Sequence, residues 1–125
     1  MTTKTSDNKD VGEQFVRAAV PLMKEYTEKL EKIVKEAESL QQAFTKTPPK
    51  GEHQTRRAQE QLSRIEERAS RLSSAVDELN RRVSQMIEQG QLDSELQRVE
   101  LKLRLAELEN AMNAAQWIDT TIPTE

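Results

Sequence analysis

The chain has 125 residues and a formal net charge of −3; 33% of it is charged, 34% hydrophobic and 3% aromatic. With no cysteine there is no disulfide framework, thiolate metal site or thiol nucleophile. Intermixed acids and bases lack the one-sided basic footprint of a nucleic-acid binder. Scarce glycine and proline beside abundant Glu, Gln, Arg, Lys, Leu and Ala is the profile of long helices or coiled coil, and strict apolar periodicity separates the chain from disordered ones of similar charge.

Residues 1–10 (MTTKTSDNKD) are polar, read as a flexible leader, and contain no signal-peptide hydrophobic region. From about Val11 an apolar seam runs through Val16, Ala19, Met23, Tyr26, Leu30, Ile33, Ala37, Leu40 and Phe44. Spacings alternating between three and four place these residues on one side of a coiled-coil-like helix over 11–45. Pro21 is expected to kink this helix or divide it in two. The stretch TKTPPKG, 45–51, ends it, because two prolines and a glycine cannot lie inside a helix.

A second seam, Ala58, Leu62, Ile65, Ala69, Leu72, Val76, Leu79, Val83 and Met86, predicts a helix over 52–89. Acids four residues before bases, such as Glu25/Lys29, Glu67/Arg71 and Asp77/Arg81, add roughly 0.2–0.5 kcal/mol each on exposed faces. Gly90 suits a helix C-terminus and Asp93 the next N-cap, although a kinked single helix is the alternative. The third helix is expected over 93–117, followed by an extended tail, 118–125. The expected fold is therefore all-α: a single domain over 11–117, an elongated antiparallel three-helix bundle or coiled coil with a short third helix.

Within the third helix, VELKLRLAEL (99–108) is apolar at alternate positions, as in a strand. No other segment alternates in this way, and its neighbours are strong helix formers. Read as a helix, its apolar residues fall into two stripes: Leu92, Leu96, Val99 and Leu103 on one side, Leu101, Leu105, Leu108, Met112 and Ala115 nearly opposite. Either the stripe wanders and both halves are core, or one half meets another chain. The expectation taken is the second, with Leu101, Leu105, Leu108, Met112 and Ala115 as the partner interface. First and second helices of on the order of 50 Å outreach the third, so Leu40, Phe44, Ala58 and Leu62 at the two-helix tip form a second candidate docking surface. Trp117 is expected to cap the core against Ile33 or Ile65.

Catalytic chemistry has no evident place. His53 is the only histidine, no Glu-x-x-His pair exists, and the glycines are isolated. Arginines of the second helix (Arg56, Arg57, Arg64, Arg68 and Arg71) share it with acids, so nucleic acid is not the expected partner. Phe15–Met23 has few cations and suits a core or partner contact better than a membrane surface. The expectation is a non-catalytic protein–protein interaction module without metal or cofactor. It would be a structural or assembly subunit in a reducing, intracellular compartment, self-associating or docking on other helical subunits. Alternatives are a helical chaperone holding an amphipathic client, or a peripheral coat on a lipid or granule surface.

Overall fold

A computed structural model describes residues 3–92, 94–118 and 121–122, with side chains from Val11 onward. Among them α1 spans Thr3–Lys46, α2 Gly51–Glu88 and α3 Glu95–Gln116. The chain is an all-α three-helix bundle, as its two unbroken heptad seams require. Residues 3–10, expected as a flexible leader, instead continue α1, and the helix runs through Pro21 without dividing.

The two connections are short and differently built. After α1, the Lys50 amide donates to Gln54 Oε1 at 2.8 Å, so a side chain of the first turn satisfies the backbone entering α2. After α2, Gly90 adopts φ +69°. Its amide donates to the Ile87 carbonyl at 3.1 Å, and the Gln91 amide to the Met86 carbonyl at 3.0 Å. That paired arrangement is the Schellman stop, for which a residue without Cβ is favoured. Gly90 is therefore a hairpin turn and not a kink. Asp93 lies outside the described residues; the N-cap of α3 is Ser94, whose hydroxyl accepts from the Gln97 amide at 3.4 Å.

Helix order fixes direction. The α1 backbone at Gly12 lies against Gln91 and Leu92, Val34 shares a recess with Ala114, and Gln41 Nε2 donates to the Thr121 carbonyl at 2.9 Å. Each pair is 80 residues apart (92 − 12, 114 − 34, 121 − 41), so α3, with the turn before it and the residues after it, runs parallel to α1. Between them α2 runs the opposite way, with Arg68 bridging to Glu36 on α1. Packing of α3 is more extensive on α1 than on α2.

The interior is a single apolar seam. Met23, Leu30, Leu101 and Leu108 have no exposed surface, and Leu92 at the α2–α3 turn is closed over by Gly12. No polar or charged residue is buried among the described ones. At the opposite end, beyond the reach of α3 at Gln41, α1 and α2 continue as a two-helix arm. Ala58 and Leu62 are closed within that arm at 3% exposure, apart from the main core cluster, while Leu40 and Phe44 are half-buried. The tip surface expected from Leu40, Phe44, Ala58 and Leu62 is thus only partly open: its α2 half is already packed.

Candidate docking face on the third helix

A helix with apolar residues on opposite sides must bury both or expose one. In α3 the inner side is occupied by Leu101, Leu105, Leu108, Ala111 and Ala115, all buried, with Met112 half-buried. These residues include the ones expected to form the partner interface. Their burial inside the chain's own bundle corrects that assignment: Leu101 and Leu108 have no exposed surface, Leu105 and Ala115 have little, and only Met112 is half-buried. The outward stripe is the other one. Leu96 is 82% exposed, Val99 58% and Leu103 58%.

Trp117 falls in the same row by spacing and also lines the recess between α3 and α1 beside Glu38 and Gln41. Expected as a core cap, it is instead 85% exposed at the C-cap of α3. It lies two heptads beyond Leu103, and the outer row between them is Ala106, Asn110 and Asn113, all exposed. The full row, Leu96, Val99, Leu103, Ala106, Asn110, Asn113 and Trp117, keeps alternating spacings of three and four, the a/d repeat of a coiled-coil seam. Sequence reasoning stopped this stripe at Leu103, where apolar residues give way to alanine and asparagine. The signal that would have extended it is the fixed spacing onward to the single tryptophan.

Exposed acids border the row, with one lysine among them: Glu95, Glu100, Glu107 and Glu109 against Lys102. Arg104, on the flank, approaches Glu107 at 3.4 Å through Nη1, and its buried Nε finds no partner among the described atoms. Covering the exposed fractions of Leu96, Val99, Leu103 and Trp117 is worth about 6 kcal/mol per chain at ~1.5–3 kcal/mol for a fully buried side chain. That lies within the range of about 4–15 kcal/mol that association costs.

The other expected features are dispersed. His53 is exposed on the first turn of α2, and no group of three or more metal-ligating side chains occurs among the described residues. On α2, Arg68, Arg71 and Arg81 are engaged with Glu36, Glu67 and Glu78. The recesses between α1 and α2 near the tip are open and lined by Phe44, Ala58, Gln61 and Arg64. Among the described residues no helix is long and apolar enough to cross a membrane. Compared with known proteins, the chain matches no family model, no curated protein and no solved structure.

Proposed function

We propose that this protein is a non-catalytic helical interaction module, an assembly subunit that docks a partner helix on the outer face of α3. One observation carries the reading: Leu96, Val99, Leu103 and Trp117 are 58–85% exposed in a single heptad row, although the helix has already buried its other side. Exposed apolar residues occurring singly need no explanation, but Leu96, Val99 and Leu103 adjoining on one face support an interaction site. The row lies on the ridge of one helix and is not a concave groove, which suits helix-on-helix packing better than the holding of a client segment. Its acidic border gives little support to an anionic lipid surface, which attracts Lys and Arg.

A photo-reactive residue at position 103, with position 74 on exposed α2 as control, tests the docking face. Covalent adducts are expected from position 103 and not from position 74, either between purified copies or with proteins of a native extract. Absence of adducts at 103 in both settings sinks the reading.

A further inference from the structure

The proposed docking face has a pattern that distinguishes among partners. Taking Leu96 as position a, the a positions are Leu96, Leu103, Asn110 and Trp117, and the d positions Val99, Ala106 and Asn113. Parallel pairing with an identical seam sets each layer against itself: leucine on leucine, valine on valine, both asparagines on asparagines, tryptophan on tryptophan. Asparagine at such positions specifies register and oligomer state by pairing with its like. Antiparallel pairing sets a against d instead. With Leu103 opposite the partner's Ala106, for example, Asn110 meets Val99 and Leu96 meets Asn113, so each asparagine loses its polar counterpart.

Border charges balance in both arrangements, so the seam and not its border sets the direction. In a parallel pair a g position faces the following e position of the other chain. Lys102 then meets the partner's Glu107, twice by symmetry, and Glu109 meets alanine. Glu95 meets a like charge, the partner's Glu100, also twice by symmetry, at the open end of the seam. The antiparallel register above has the same balance, with Lys102 against the partner's Glu109 twice and Glu100 against the partner's Glu107 twice.

Area is sufficient. The four large seam residues still expose on the order of 400 Å² of side chain per chain. That is about half of the ~800 Å² per partner of a standard interface; Ala106, Asn110, Asn113 and the stems of Lys102 and Glu107 lie along the remainder. α1 and α2 pack on the inner stripe of α3, and α1 reaches the flank of the seam only at its Ala114–Trp117 end.

We propose that the occupant of this face is a second copy of the same chain, its α3 parallel and in register, making a two-fold dimer of three-helix bundles. This rests on the docking reading above. Light scattering should then give twice the 14.3 kDa chain mass. A Val99→Glu, Leu103→Glu variant should return to the single-chain mass with helicity retained, since both residues are exposed in the monomer. Lys102→Glu should raise the dimer dissociation constant at least 10-fold, and adding Glu107→Lys should restore it.

The natural absence of cysteine makes register directly readable. Val99→Cys and Asn113→Cys, prepared separately, should each oxidise to a disulfide-linked dimer under a mild oxidant. An antiparallel pair brings at most one of these positions to its own counterpart. Self-linkage at only one or neither position, or a dimer that survives the double glutamate variant, overturns the parallel seam. A single-chain mass at every concentration overturns the second copy as occupant. Position-103 adducts with other proteins would in that case leave the docking face standing.

Discussion

Gly12→Ala sets two effects of opposite sign against each other. In an exposed helix interior, alanine stabilises by about 1 kcal/mol relative to glycine. At Gly12 the added Cβ would lie 2.4 Å from the Gln91 carbonyl oxygen, where real contacts essentially never fall under 3.0 Å, and 3.6 Å from Leu92 Cδ2. Relief requires the carbonyl to retreat by at least 0.6 Å (3.0 − 2.4). That carbonyl cannot move freely: its residue is held through the Gln91 amide to Met86, and the next residue, Leu92, is 1% exposed. Overpacking of a tight contact costs about 1–3 kcal/mol; the rigid backbone on one side places this case at the upper end. The expected net loss is about 1–2 kcal/mol, a fall in Tm of about 4–8 °C for a domain of this size. Thermal and urea unfolding followed by far-ultraviolet circular dichroism measures it, with Gln14→Ala at a nearby exposed site as control. A Gly12→Ala protein as stable as the parent, or more stable, would refute close packing of α1 against the α2–α3 turn.

Leu108→Ala should cost about 2–5 kcal/mol as a core truncation, whereas Leu103→Ala should leave the stability of the isolated bundle within about 0.5 kcal/mol; equal losses in urea titrations would show that the two stripes are wrongly assigned. Gly90→Ala should lose about 1 kcal/mol by forcing a side chain into positive φ, and an unchanged denaturation midpoint would count against the Schellman turn. Arg104→Met keeps most of the buried stem while removing the orphaned Nε–H. It should be neutral or stabilising by up to about 1 kcal/mol, and a loss beyond 1 kcal/mol in the same titration would mean that Nε has a partner after all.

The helices and both turns were legible because each is written locally. Seams at three- and four-residue spacing mark α1 and α2, the Thr45–Gly51 stretch stops one helix, and Gly90 stops the next. In α3 the presence of two stripes was equally legible, but which one turns inward was not. Leu101 and Leu103 are identical in kind, and nothing within a few residues of either says which has a neighbour. The distinction lies in persistence: the inner stripe stays apolar through Leu108, Ala111 and Ala115, while the outer passes into Asn110 and Asn113. Trp117 was misplaced for the related reason that large aromatic residues are usually covered, and its row becomes visible only over three heptads. Gly12 carries no local signal at all, because its requirement comes from a backbone 80 residues away. Pro21 was expected to kink or divide α1; the helix is not divided there, and Pro21 lies on its exposed side with inward residues packed before and after it.

The 80-residue offset between α1 and α3 has a consequence for how the chain acquires its shape. The two hairpins, α1–α2 and α2–α3, close connections of a few residues and can form as soon as their helices do. The most extensive interface joins segments separated by nearly the whole chain; bringing ends together across 80 residues costs about 4 kcal/mol of loop entropy unless α2 is already folded back. During synthesis the side of α1 that packs on α3 therefore waits uncovered until Leu101, Leu105 and Leu108 have been made. Zipping of the α1–α2 pair first, followed by late docking of α3, is the order that topology favours. The apolar groove left by the first hairpin is then the species most exposed to misassociation, and α3 is the element that closes it.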